Sequence, residues 1–146
     1  MEKAFDKVWK DGLKNKLLRL GIRGYLYNWI CNYLEKRTAR VQVQGKHSRK
    51  RILEQGVPQG GILSPTLFLI YINDIMEGIP TGVHSAMYAD DLALWTGGEA
   101  IAVAKNRMHG ALHKLESWTK KWLLTINEKK TTHTIFTLSN KVKQQR

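Results

Sequence analysis

Apolar residues follow two rhythms along this chain, and the places where one gives way to the other divide it into elements. Leu13, Leu17 and Leu20 stand three and four apart with Gly21 behind them, so the spacing predicts a helix over 11–20 closed by a glycine cap. Tyr25, Leu26, Trp29, Ile30, Tyr33 and Leu34 make a wider stripe, that of a second helix expected to bury its aromatic residues in a core. From Thr38 the period drops to two. Val41 and Val43 alternate with Arg40, Gln42 and Gln44, a turn is expected near Gly45, and an extended return falls at 51–53: a hairpin rich in Arg and Lys. Ser64 and Pro65 suit the N-cap and first position of a third helix running through Leu67, Ile70 and Tyr71 to Met76, stopped by Gly78 and Pro80.

Residues 85–95 read as two short strands around Asp90 and Asp91. A long helix follows, with Ile101, Ala104, Met108, Ala111, Leu112, Leu115, Trp118 and Trp122 recurring at three and four. Residues 132–138 are β-prone, and 139–146 form a polar, basic tail expected to fray. Helices interspersed with hairpins, without regular βαβ units, predict an α+β domain over 1–138 in which an antiparallel sheet is covered by helices.

Charge sharpens this picture because it is segregated. Residues 1–51 hold 14 basic and 4 acidic side chains, 52–104 hold none and 6, and 105–146 hold 10 and 2. The net charge of +12 points to a polyanion such as nucleic acid as partner, and the acidic middle suggests a centre that attracts cations between flanks that meet phosphates. A buried core segment would also exclude Lys and Arg, so the middle third alone decides nothing. Cys31 is the single cysteine and is expected in the core; no disulfide partner exists within the chain, which fits a reducing, intracellular compartment, nuclear or cytoplasmic. The longest apolar run, 62–75, is broken by Ser64, Pro65 and Asn73 and falls short of the ~20 residues of a membrane span. No secretory leader is read at Met1, where a charged segment starts as though in the middle of something.

The chemistry concentrates in two places. Asp90 and Asp91 stand side by side at the predicted hairpin tip, and adjacent carboxylates suit Mg²⁺ completed by waters and phosphate oxygens. Taken alone, an Asp pair is more often a polar turn. Upstream, Gly56-Val57-Pro58-Gln59-Gly60-Gly61-Ile62-Leu63-Ser64-Pro65 is a loop whose glycines allow close approach by a ligand, although glycine and proline punctuate ordinary loops too.

Together, Pro58-Gln59-Gly60-x-x-Leu63-Ser64-Pro65 and Tyr88-Ala89-Asp90-Asp91 resemble the signature of reverse transcriptases, most nearly those of non-LTR, LINE-type retrotransposons. Ala4-Phe5-Asp6-Lys7-Val8-Trp9 resembles the end of the family's first palm motif, and 118–131, with Trp122, Asn127, Lys130 and Thr131, resembles its fourth. The resemblance runs from Met1 to about Phe136. It implies a truncated, RRM-like polymerase palm without fingers or thumb, and RNA-directed DNA synthesis by two-metal attack of a primer 3′-hydroxyl on a deoxynucleoside triphosphate. RNA template, DNA primer and deoxynucleoside triphosphates are the implied partners. Mg²⁺, with Mn²⁺ as an alternative, is the implied cofactor, held by Asp90 as principal ligand with Asp91 in support. By the same resemblance Phe5 would stand against the incoming sugar, Gln59 and Gly60 would line the nucleotide and template pocket, and Lys130 would approach the triphosphate. Phe5 as a core aromatic and Lys130 as a solvated cation are the plain alternatives.

The family's first motif opens with an aspartate four residues before Ala4, ahead of Met1, and Asp6 matches a second aspartate that is not a metal ligand. The chain by itself is therefore expected to have negligible polymerase activity, and a sheet lacking a central strand would expose an unpaired edge. Two other readings compete. A non-catalytic, basic nucleic-acid-binding module would need only the charge and the sheet, though the aromatic RNA-recognition signature is missing. A metal hydrolase built on His109 and His113 would need a Glu directly after the first histidine, where Gly110 stands.

Overall fold

The computed structural model describes Met1 and residues 3–137. Helix α1 (Lys10–Arg19) ends as its sequence requires. Gly21 takes a left-handed φ of +80°, its N–H bonds Leu18 O, and Ile22 N–H bonds Leu17 O, the paired reverse bonds of a Schellman cap. Leu13 and Leu17 are fully buried. They pack α1 against the third helix, α3 (Ser64–Ile72), where Leu67, Phe68, Tyr71 and Ile72 supply the other half of the core.

Helix α2 (Gly24–Leu34) buries Ile30 and Leu34 only. Tyr25, Leu26 and Trp29 are exposed, and Tyr33 is half-buried with its ring stacked on Trp29 at 5.8 Å, so the expected burial of the aromatic stripe does not occur. The reason is geometric. A stripe that wide needs neighbours on two sides, and among the described elements α2 packs on α1 alone. Cys31, expected in the core, is half-buried on the same helix.

The predicted basic hairpin forms from nested short strands, β1 (Thr38–Ala39) with β4 (Arg51–Ile52) outside and β2 (Gln42–Val43) with β3 (Lys46–His47) inside. Gln44 and Gly45 both have positive φ, +48° and +77°, as the favoured two-residue hairpin turn demands. Three residues, 48–50, face two, 40–41, across the ribbon, so the ladder carries a bulge there. Every residue from Thr38 to Gln55 is exposed.

Helix α3 starts one residue earlier than expected: Leu63 is the cap, and the Ser64 hydroxyl bonds Pro58 O instead of a helix N–H. It also stops at Ile72, giving way to turns through Gly78. Strands β5 (Val83–Tyr88) and β6 (Asp91–Thr96) pair in register with Tyr88 opposite Asp91. Helix α4 (Ile101–Lys121) lies across both, burying Ala111, Leu115 and Thr119, and its end delivers Trp118 and Trp122 to α1.

The domain is α+β as expected, but the single helix-covered sheet is not found. Among the described residues the strands form three separate antiparallel pairs, and the core is made mostly by helices and loops. The β-prone 132–137 forms no strand, and Phe136 is 93% exposed; Leu138 and the expected tail 139–146 lie outside the described residues. Among the described residues no helix is long and apolar enough to cross a membrane.

One core feature was not legible. Lys16, on the apolar face between Leu13 and Leu17, is 3% exposed. Its ammonium donates to Tyr71 O and to the Asp74 carboxylate and lies 3.9 Å from the centre of the Trp122 ring. Burial pulls its pKa below the ordinary value, opposed by the bond to Asp74. Asp74 is fixed in turn by Trp118 Nε1, which donates to it at 2.8 Å.

Candidate active site

The site is assembled on Met1 and residues 3–8. Lys3 to Lys7 form a turn closed by Asp6 N–H and Lys7 N–H on Lys3 O. This turns Phe5 inward, half-buried, to stack on Phe68 with centroids 4.5 Å apart. Val8 is fully buried beside it.

The glycine loop then pairs with this segment backbone to backbone: Gly56 N–H bonds Val8 O and Val57 N–H bonds Phe5 O, both at 2.8 Å. Only glycine fits at 56. Its φ is +85°, and a Cβ would meet Asp6 O at 2.8 Å and Asp6 Cα at 2.9 Å. A Cβ on Gly61 would overlap the Tyr33 hydroxyl. The loop is thus pinned at both ends, and between the pins Gln59 Nε2 donates to Asp6 Oδ1 at 2.9 Å. Gly60, exposed at φ +76°, has no atom within 4 Å of where its Cβ would be.

Arg37 clasps the base of the basic hairpin to the same loop, its guanidinium donating to Gln55 O and Gly56 O. Lys10 adds a bond to Leu53 O. Nothing in the residue pattern singled out Arg37 or the Asp6–Gln59 bond, because both depend on contacts across 18 residues or more.

The carboxylates sit at the other end of the segment. Asp90 lies in the two-residue turn between β5 and β6, and Asp91 is the first residue of β6, so one acid is in the turn and its neighbour on the strand. Ala89 holds φ +51°, a conformation that costs an L-residue about 1–2 kcal/mol. Met1 N donates to Asp90 O at 3.0 Å and is 3.6 Å from Asp90 Oδ2. The acid turn and the Gln59 loop are therefore brought to opposite ends of one short segment, on Met1 and Asp6, whose Cα atoms five steps of chain can separate by at most about 18 Å.

Lys130 is exposed in a 3₁₀ turn, Glu128–Lys130, capped by Asn127 Oδ1 on its own N–H at 3.2 Å. Its stretch of chain is tied to the segment through Lys7 Nζ, which donates to Thr125 Oγ1 at 2.9 Å, but no described contact joins Lys130 to the acids or to Gln59. His109 and His113 are both exposed on α4, and among the described residues no three His, Cys, Asp or Glu side chains gather as a metal site.

The hairpin carrying Tyr-Ala-Asp-Asp at its tip is thus linked through one segment to the Pro-Gln-Gly loop. The family model described as reverse transcriptase (RNA-dependent DNA polymerase) matches residues 1–145, and the chain belongs to that family. It is 36% identical over 146 residues to the probable RNA-directed DNA polymerase from transposon BS of Drosophila melanogaster, an alignment covering 94% of this chain and 16% of that protein. It is 34% identical over 142 residues to the RNA-directed DNA polymerase from mobile element jockey of the same species, 93% of this chain and 15% of the relative. A Pol polyprotein from type-1 retrotransposable element R2 of Popillia japonica is 35% identical over 106 residues, 64% of this chain and 15% of its own length. The likeness to non-LTR retrotransposon enzymes read from the motifs is borne out, and the chain spans about one sixth of the length of the relatives it matches.

Proposed function

We propose that this chain is a palm portion of an RNA-directed DNA polymerase, in which Asp90 and Asp91 hold Mg²⁺, or Mn²⁺ in its place, for nucleotidyl transfer to a primer 3′-hydroxyl on an RNA template. The observation that carries the reading is the convergence of the acid turn and the Gln59 loop on residues 1–6. Carboxylates on two successive residues, one half-buried and one exposed, leave room for waters and phosphate and fit a hard cation. Two ions bound there would supply activation of the hydroxyl and neutralisation of the leaving oxygens.

The chain's own residues do the positioning. Gln59, oriented by Asp6, offers its amide oxygen to the nucleotide or template, and Gly60 keeps the adjacent space open. Phe5, braced by Phe68, is the candidate neighbour of the incoming sugar, and Lys130 the candidate partner of the leaving pyrophosphate. A reducing intracellular setting suits the lone Cys31.

The 146 residues alone are proposed to extend primers negligibly, since among the described residues no third His, Cys, Asp or Glu side chain joins the two carboxylates. Asp90→Asn tests the metal assignment, because it removes the charge and keeps the shape. Divalent-ion titration of the wild type and the variant should show Mn²⁺ affinity lower by tenfold or more in the variant. Equal affinities would sink the site, and robust Asp90-dependent primer extension by the wild-type chain would refute the proposed inactivity.

A further inference from the structure

We infer that the β1–β4 hairpin is a phosphate-backbone clamp that leads a nucleic-acid strand toward the Gln59 loop. The inference rests on the nucleic-acid partner proposed above and adds the surface that would grip it. Residues 36–51 contain seven Lys or Arg and no acid. Arg37 is spent on the loop carbonyls. Among the described residues, Arg40, Lys46, Arg49, Lys50 and Arg51 form no ion pair, and Glu35, the acid at the hairpin's foot, is held by Lys14. Five exposed cations on one ribbon repel one another, a cost that phosphates would relieve with release of condensed counter-ions.

The geometry of the ribbon agrees with a long ligand. The seven steps of chain from Arg37 to Gln44, at about 3.3 Å each, reach at most ~23 Å, enough to follow several phosphates. The bulge at 48–50 places Arg49 and Lys50 outside the regular ladder. Val41 and Val43, 65% and 63% exposed, present apolar surface to sugars between the charges. Contacts of this kind position a strand and carry no sequence preference. The Arg37 clasp fixes the foot of the ribbon to Gly56, three residues from Gln59, so a strand held on the ribbon is aimed at the site.

The test compares two triple variants of the full chain, Lys46→Gln/Arg49→Gln/Lys50→Gln and Lys105→Gln/Lys114→Gln/Lys129→Gln, which lose equal charge from the hairpin and from elsewhere. Binding to a fluorescent 20-nucleotide RNA and to an RNA–DNA hybrid of the same length is followed by anisotropy across a KCl series in EDTA. The hairpin variant should lower the slope of log K against log[KCl] by about 2 to 3, and the control variant by less than 1. The arm with the larger loss identifies single strand or duplex as the ligand. Equal losses in both variants, or no salt-dependent binding by wild type, would overturn the clamp. Because EDTA removes divalent ions, failure of the Asp90–Asp91 assignment leaves this readout untouched, and failure of the clamp leaves the Mn²⁺ titration untouched.

Discussion

The two hairpins of this domain are built to opposite specifications. The basic one turns through Gln44 and Gly45, both at positive φ, and projects from the body with every strand residue exposed. Its foot alone is fastened, by Arg37 and by Gly56 against Asp6. The acidic one has a tip that puts an alanine at φ +51° without a glycine, yet α4 backs both strands and Met1 bonds the turn. Both tips carry one strained non-glycine residue, Ala89 and Gln44, but only the acidic tip is also backed by a helix and bonded from outside the hairpin. A hairpin fastened only at its foot, with both strands exposed, is offering a surface. The first description fits a site for ions and the second a surface for a polymer.

The sharpest way to break this contrast is at the two glycines of the basic hairpin, tip and foot, which share left-handed φ values of +77° and +85°. Gly45→Ala meets no atom within 4 Å and should cost about 1 kcal/mol, the backbone term alone. Gly56→Ala adds a clash with the Asp6 backbone, which has no side-chain end to swing away, and should cost about 3 kcal/mol or more. Urea denaturation of both variants measures the difference. Equal costs would mean that the foot is no more locked than the tip.

The body to which that foot is fastened can be probed at Tyr71. Its hydroxyl donates to Trp122 O and accepts from Trp9 N–H at 3.2 Å, joining α3, the end of α4 and the start of α1. Tyr71→Phe leaves the part-buried Trp9 N–H and the buried Trp122 carbonyl without this partner and should cost about 1–3 kcal/mol. A pH signature goes with it. Burial pushes the phenol from its ordinary 10.0 up to about 12, so in alkali the unfolded chain loses this proton first. The stabilising contribution is complete below pH 10 and drains away between pH 10 and about 12. Wild type should therefore lose stability across that window more steeply than the Phe variant. Parallel curves would place Tyr71 in contact with solvent.

How much of this was readable beforehand follows from how local each feature is. The α1 cap, the hairpin turn at Gly45, the placement of Asp90 and Asp91 at a tip, and the extent of α4 all depend on residues within a few positions of one another, and each was legible to within one or two residues. The burial of α2's aromatics was misjudged because exposure depends on how many neighbours a helix finds, which periodicity does not record. The missing strand at 132–137 shows the same limit, since β-propensity does not record whether a partner strand is in reach. Lys16 was invisible as a core residue: a lysine on an apolar face is ordinarily taken to snorkel, and only the meeting of Asp74 with three aromatic rings explains its burial. In the candidate site the residue types were legible through the motifs. The Asp6–Gln59 bond and the Arg37 clasp were not, being made by loop closure over 53 and 18–19 residues.

The smallest expected effect discriminates best between the two turns. Ala89 and Gln44 hold similar positive φ, +51° and +48°, so replacing either with glycine should stabilise the chain by about 0.5–1 kcal/mol, relief of strain outweighing the extra freedom of the unfolded chain. There the likeness ends. At position 44 the tip presents nothing that needs a fixed direction, and the RNA salt slope should not change. At position 89 a freer backbone lets the neighbouring carboxylates sample more orientations, so Mn²⁺ affinity should fall by two- to fivefold while the melting temperature rises. Stability gained with affinity lost is the mark of strain kept for function. If Ala89→Gly binds Mn²⁺ as tightly as wild type, the strained turn is an accident of hairpin closure and the contrast between the two hairpins loses its chemical meaning.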